Sequence, residues 1–145
     1  MVMANTEEPG LLAPSSFLIG GKQYAAALLA DGVTYGLPAV NNIGVPSRPA
    51  HVGDTITLYG IGFGSVTPNI PAGQIVQQTN TLALQLHVLF GGYEGTLKFS
   101  GLASGAVGLY QINVVVPSIS ASDAVPLTFN LGGTDGTQKL YVAVQ

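Results

Sequence analysis

Residues 53–64 constrain the fold of this chain more than any other stretch. Apolar and polar residues alternate over 55–59, so that Ile56 and Leu58 share one face. Such alternation predicts a half-buried β-strand. Glycine then occupies every second position: Gly60, Gly62 and Gly64. This pattern predicts a strand that leaves its sheet through a bend where side chains would not fit.

Further apolar segments, each set off by turn residues, follow along the chain. The predicted strands are Thr55–Tyr59, about Leu82–Phe90, Gly95–Ser100, Leu109–Val116, Val125–Leu131 and Gln138–Val144. Short strands at this spacing are typical of a sandwich or a barrel. We therefore expect an all-β fold in which residues 39–145 form an immunoglobulin-like antiparallel β-sandwich.

The alternation also predicts which side chains form the core. Those expected inside are Leu84, Leu86, Val88, Phe90, Leu97, Phe99, Tyr110, Ile112, Val114, Val116, Leu127, Phe129 and Leu131. Tyr110 follows Gly108-Leu109 at the start of a strand, where sandwiches place a tyrosine corner. We expect its hydroxyl to bond to the loop backbone.

Residues 1–38 are predicted to form an N-terminal arm and a β-hairpin extension. Asp31-Gly32 separates two apolar runs, Gln23–Ala30 and Val33–Leu37, which is a strong hairpin signal. A short helix over Tyr24–Ala30, ended by the glycine, is the alternative. The hairpin is preferred because so short a helix without a good N-cap is marginal. Such a segment could add a strand to the sheet edge of a neighbouring copy.

Composition limits the kinds of partner. Only 8% of the residues are charged, and 47% are hydrophobic, yet no apolar run approaches the roughly 20 residues of a membrane helix. The surface is therefore neutral and polar, which suits either a secreted domain or a self-associating one. The four basic residues are too few for a phosphate-binding patch, so we expect no nucleic-acid partner. With no cysteine, disulfides and thiolate chemistry are excluded.

The N-terminal residues, Met1–Gly10, contain two glutamates and no basic residue. They do not have the composition of a signal peptide. We expect either that a signal has been removed or that the chain belongs to a longer protein.

Several short motifs occur in order along the second part of the chain. They are Arg48-Pro49-Ala50, Gly53–Gly64, Val66-Thr67-Pro68, Ile70–Gln74, Phe99–Ala103, Gly108–Val114, Val116-Pro117 and Asp123–Leu127. In this order they resemble the uncharacterised C-terminal domain of large exported proteins from Solibacter and its relatives, which is immunoglobulin-like and similar to IPT/TIG domains. The resemblance implies a secreted or cell-surface β-sandwich and implies no known activity.

The residues that could support catalysis are few and scattered. Prolines follow the glycine run 60–64 and exclude the helix that a nucleotide loop needs. His51 and His87 are too few for a typical zinc or copper site, and no Gly-x-Ser-x-Gly motif is present. Glu94 is the one acid of the folded region without an obvious turn role, and one acid is not a catalytic pair. We therefore predict no catalytic, cofactor-binding or metal-binding residue and no cofactor.

Two features remain candidates for binding. The first is the long loop Ser65–Thr81, which either carries function or lies across a sheet edge and caps the sandwich. The second is a set of tyrosines that could stack on sugars: Tyr24, Tyr35, Tyr59 and Tyr93.

We expect a non-catalytic extracellular module that acts by contact, in adhesion, surface display or self-assembly. Its expected partners are proteins, either a second copy or modules of a parent protein, with no insertion into membranes. The first alternative is a carbohydrate-binding module with polysaccharide as partner. The second is a small hydrolase that would use His51 or His87 beside a serine or a carboxylate.

Overall fold

The computed structural model describes residues 9–70 and 73–145. Three predictions lie partly outside these residues: the N-terminal arm at residues 1–8, and both the Ile70–Gln74 motif and the Ser65–Thr81 loop at residues 71–72. One 3-10 turn covers Ser15–Phe17. The strands are β1 (Gly10–Leu11), β2 (Leu18–Ile19), β3 (Lys22–Gln23), β4 (Tyr35–Gly36), β5 (Ser47–Arg48), β6 (Thr55–Ile61), β7 (Val66–Thr67), β8 (Thr81–Leu82), β9 (Leu86–Phe90), β10 (Tyr93–Glu94), β11 (Thr96–Leu102), β12 (Tyr110–Val115), β13 (Ser122–Leu131), β14 (Thr134–Asp135) and β15 (Leu140–Val144).

Two larger antiparallel sheets contain most of these strands. The first sheet has the order β1-β6-β12-β11. The second has the order β10-β9-β13-β14, and β15 also pairs with β13. Buried side chains of both sheets, such as Ile56 and Ile112 of the first and Val88 and Phe129 of the second, belong to one hydrophobic cluster. The sheets thus enclose a shared core as in a sandwich, and the predicted all-β class is confirmed.

The predicted strands are present with altered ends, and one of them is divided. The segment predicted as a single strand over Leu82–Phe90 forms β8 and β9 instead. Residues 83–85 interrupt the strand because the two parts have different partners: β8 pairs with β7, whereas β9 pairs with β13. Consequently Leu84, predicted inside, is only half-buried at the edge of the core.

Phe99 is a second departure from the predicted core. The pairing of β11 with β12 shifts between Leu97 and Phe99, so that Phe99 lies opposite Asn113. Asn113 is on the outward side of β12. The extra residue in the ladder, Lys98, therefore turns Phe99 outward, because a bulge reverses the alternation of faces. Leu97 and Tyr110, also predicted inside, are half-buried at the edge of the core.

The glycine run after β6 directs Phe63 into the centre of the core. Gly62 and Gly64 have φ of 76° and 88°, a left-handed conformation that other residues rarely adopt. Phe63, between them, is fully buried. Its ring centroid lies 5.6 Å from that of Tyr110 in the first sheet and 5.4 Å from that of Phe129 in the second. The predicted exit of the strand from its sheet thus also brings an aromatic side chain between the two sheets.

Gly60 is needed for a different reason: two other groups lie so close to it that a side chain would not fit. A Cβ at this position would lie 2.5 Å from the carbonyl oxygen of Gly10 and 2.7 Å from the Phe63 ring. β1 can therefore pair with β6, with Leu11 opposite Gly60, only because this position has no side chain.

The predicted hairpin around Asp31-Gly32 is present. Leu28 and Tyr35 form an antiparallel bridge, and the Asp31 carboxylate accepts hydrogen bonds from the backbone N–H groups of Val33 and Thr34. The alternative, a helix over residues 24–30, is absent from this described segment.

The described part of the N-terminal segment pairs with its own chain. β1 extends the first sheet, Leu28 bridges Thr57 of β6, and Tyr24 bridges Tyr141 of β15. The side chains of Ala25, Ala27 and Leu29 belong to the main core. Both sheets thus gain an N-terminal partner, while the division of the chain at residue 38 stays a prediction.

We predict that Gly60→Ala destabilises the protein more than Gly105→Ala does. A Cβ at Gly60 meets backbone, which cannot move aside as a flexible side chain can, so we expect a loss of about 3 kcal/mol. Gly105 has φ of 78° with open space around it, so its substitution should cost only the conformational strain of about 1–2 kcal/mol. Urea denaturation of both variants measures this difference. Equal losses would show that the approach of β1 to Gly60 does not constrain the fold.

Candidate contact surfaces

On the outer side of the first sheet, β6 and β12 present neutral side chains, and we call this surface the neutral face. Burial alternates along β6 and β12, so that every second residue points away from the core. Phe99 joins them through the bulge in β11. The face consists of Thr55, Thr57, Tyr59, Ile61, Phe99, Gln111, Asn113 and Val115. The sequence has no Asp, Glu, Lys or Arg over 55–93 or 99–122, which makes β6 and β12 neutral, whereas β11 also carries the exposed Lys98 next to Phe99.

Side-chain hydrogen bonds, one between strands and one within β12, order the middle of the neutral face. Thr57 lies opposite Asn113 and Tyr59 opposite Gln111. The side-chain oxygen of Asn113 accepts hydrogen bonds of 3.2 Å from the Thr57 hydroxyl and from the Gln111 amide. The polar groups thus hold one another in place, while Ile61, exposed at 56%, gives the face an apolar end.

The second surface lies at one end of the sandwich, beside the exit of β6, and we call it the loop-end groove. Its larger part, of about 400 Å³, is lined by Gly62, Gly64, Ser65, Asn69, Ile70, Gly73, Gln74, Leu102, Gly108 and Tyr110. An adjoining part of about 220 Å³ is lined by Asn69, Ile70, Gln74, Ile75, Gln77 and Gln78. Because three residues line both parts, the groove is continuous.

Tyr110 fixes one wall of this groove. Its hydroxyl donates a hydrogen bond to the carbonyl of Gly64, so the predicted bond to a loop backbone is present. The bond joins the start of β12 to the glycine run that follows β6, and thereby holds the end of that run in position. Burial raises the pKa of the Tyr110 hydroxyl above its usual value of 10.0.

The long loop Ser65–Thr81 caps a sheet edge through its described residues, which is one of the two roles expected for it. Asn80 is buried, and its side-chain oxygen and amide bond to the N–H and carbonyl of Leu102 at 2.6 and 3.2 Å. The same loop is tied to the neighbouring turn at Val76, whose N–H donates to Ala106 and whose carbonyl accepts from Gly105. The loop is thus anchored at buried positions, while the exposed side chains between them line the loop-end groove.

The two histidines lie in different settings. His51 is exposed in the turn before β6, where its backbone N–H donates a hydrogen bond of 2.9 Å to the Asp54 carboxylate. His87 is on β9, and its Nδ1 lies 2.6 Å from an oxygen of Glu94. Glu94, the acid without an obvious turn role in the sequence, thus has His87 as its partner across the β9–β10 hairpin.

A groove of about 570 Å³ beside this pair also includes Ser100. Among the described residues, no hydrogen bond joins Ser100 to His87, whose bonded partner is Glu94. Nor do the described residues contain a group of three or more histidine and acidic side chains suited to a metal ion. The arrangement is a surface ion pair when His87 is protonated.

The four tyrosines considered for sugar stacking do not form one exposed platform. Tyr24 is buried, and its hydroxyl donates to the carbonyl of Asp123. Tyr35 packs edge-on against Phe17 at 5.1 Å. Tyr59 belongs to the neutral face, whereas Tyr93, exposed at 65%, is on β10 of the other sheet.

Comparison with known proteins adds no relative. The chain matches no protein-family model, and no curated protein or solved structure is significantly similar to it. Within residues 9–70 and 73–145, no helix has the length and apolar character needed to cross a membrane.

We predict that stability falls as the pH rises above about 10, the usual tyrosine pKa. Burial raises the pKa of Tyr24, with further contributions from Asp123 and Tyr141, and burial also raises that of Tyr110. A raised pKa in the folded state gives stability that is complete below the unfolded pKa and is lost as pH rises through the folded pKa. Urea denaturation from pH 7 to pH 11 tests this.

The control is the double variant Tyr24→Phe/Tyr110→Phe, which cannot ionise at these positions. It should be less stable at pH 7, because two hydrogen bonds are lost, and its stability should fall less between pH 9 and pH 11. Parallel pH curves for the double variant and the natural chain would contradict the assignment.

Proposed function

We propose that this chain is a non-catalytic extracellular module of the IPT/TIG-like kind, which acts by contact with a second copy through the neutral face. The observation that carries the proposal is the neutral face itself, where β6 and β12 present uncharged side chains that are ordered by hydrogen bonds. Secretion or display at the cell surface follows from the resemblance to the C-terminal domain of Solibacter-type exported proteins.

The order of strands supports the immunoglobulin-like part of this proposal. In immunoglobulin-like sandwiches, strands A, B, E and D form one sheet and strands C, F and G form the other. When β1, β6, β9, β11, β12, β13 and β15 are lettered in chain order, the first sheet is A-B-E-D and the second contains C-F-G. The short β10 then extends the second sheet next to C.

The chemistry of the neutral face supports contact with a second copy. In a symmetric dimer the same surface meets itself, and residues near the two-fold axis lie close to their own counterparts, so like charges there repel. Thr57, Gln111 and Asn113 avoid this cost, because hydroxyl and amide groups both donate and accept hydrogen bonds. Tyr59 and Phe99 add aromatic area of the kind enriched in interfaces.

The sheet edges support face contact over the addition of a strand by a neighbour. The outer edge of β6 is occupied by β1 and Leu28 of the same chain. On β11, Asn80 bonds to Leu102 and the bulge places Lys98 within the strand. Bulges and lysines are devices that discourage edge-to-edge pairing.

We predict that the natural chain self-associates and that Thr57→Lys weakens this association. The added lysine lies in the middle of the neutral face and would meet its counterpart across a symmetric interface, so we expect at least about a tenfold weaker association. Sedimentation equilibrium from about 1 μM to about 1 mM covers the affinities expected for such a contact.

Thr128→Lys is the matched control, because Thr128 is an exposed threonine on β13 of the second sheet. Its association should equal that of the natural chain, and circular dichroism should show that both variants are folded. The proposal fails if the natural chain is monomeric throughout, or if both variants weaken association equally.

A second candidate function, binding of polysaccharide, is favoured by the loop-end groove and not by the tyrosines. The tyrosine platform is excluded as a single surface because Tyr24 is buried. The loop-end groove instead presents amide side chains around half-buried Tyr110.

A further inference from the structure

We propose that the loop-end groove is a binding site for an uncharged saccharide. The groove lies at the end of the sandwich and is lined by other residues than those of the neutral face. The inference therefore does not depend on self-association.

The loop-end groove is lined by amide side chains that can form hydrogen bonds with a ligand. Asn69 and Gln74 line both of its parts, and Gln77 and Gln78 continue the row. All four are exposed, and their amides form no hydrogen bond with any other described residue. A carboxamide has two N–H donors and an acceptor oxygen. This combination matches vicinal sugar hydroxyls, each of which can both donate and accept.

The described lining of the loop-end groove carries no charged side chain. The whole of residues 55–93 contains no Asp, Glu, Lys or Arg, and the remaining lining residues, Leu102, Gly108 and Tyr110, are also uncharged. A phosphate, sulfate or carboxylate ligand would find no cationic side chain among the described lining residues. A neutral ligand is the one that this lining matches.

The shape of the loop-end groove and the fixed position of Tyr110 also suit a saccharide. Glycines at 62, 64, 73 and 108 leave the backbone of the groove open to a ligand. Tyr110 is held by the Gly64 carbonyl on one side and packs edge-on against Phe63 on the other. Its ring offers an aromatic surface for the C–H groups of a sugar. A volume of about 400 Å³ lies within the range of small-ligand pockets.

The test is isothermal titration with cello-, xylo-, manno- and maltohexaose as neutral probes, and with heparin and polygalacturonate oligosaccharides as charged ones. We expect at least one neutral hexasaccharide to bind. Gln74→Leu should weaken that binding about tenfold, as the loss of an amide that forms more than one hydrogen bond predicts. Asn69→Leu is a second variant with the same expected direction, in case either substitution disturbs the loop.

Gln85→Leu is the matched control, because Gln85 is an exposed glutamine that lines the separate groove beside His87. It should bind as the natural chain does, and so should Thr57→Lys, which leaves the loop-end groove intact. The proposal is overturned if no neutral probe binds, if binding is confined to the anionic probes, or if both Gln74→Leu and Asn69→Leu bind as the natural chain does.

Discussion

The insertion of Phe63 between the two sheets is the constraint on which the rest of this structure depends. The side chain reaches the core because Gly62 and Gly64 adopt left-handed backbone conformations on either side of it. Once inside, its ring touches Tyr110 of the first sheet and Phe129 of the second. The hydroxyl of Tyr110 then returns to the backbone at Gly64, so the exit of β6 is fixed both by apolar packing and by a hydrogen bond. The hydrogen bond between Tyr110 and Gly64 also fixes one wall of the loop-end groove.

Local patterns were sufficient to predict the main strands and much of the core. Alternation in β6, β12 and β13 translates directly into buried positions that alternate with half-buried or exposed ones, because the side-chain period of a strand is two. The prediction was wrong at Phe99, where a bulge reverses the faces. A bulge depends on how two strands pair, and no local pattern in the sequence around Lys98 indicates it. The division of the predicted strand at 82–90 also depends on strand pairing, since its two halves, β8 and β9, pair with different strands.

The candidate surfaces were less accessible to sequence reasoning, because they are formed by long-range contacts. The sequence showed that Ser65–Thr81 was unusually long and that the chain had little charge. It could not show that Asn80 would satisfy the backbone of Leu102, or that Val76 would anchor the same loop to the turn at Gly105. Nor could it show that burial of Tyr24 would separate the predicted tyrosine set. Each of these outcomes depends on residues distant in the chain.

Two of the few charged residues of this chain lie where they limit unwanted association. A protein with so small a charged fraction has weak electrostatic repulsion between copies, and open sheet edges would then be a hazard. Lys98 occupies the bulge of the edge strand β11, and Glu94 occupies the short edge strand β10. Backbone groups at the opposite edge of the first sheet are taken up by β1 and Leu28. Protection of the edges leaves faces and loop ends as the surfaces for contact, and the residues that form the neutral face and the loop-end groove are uncharged.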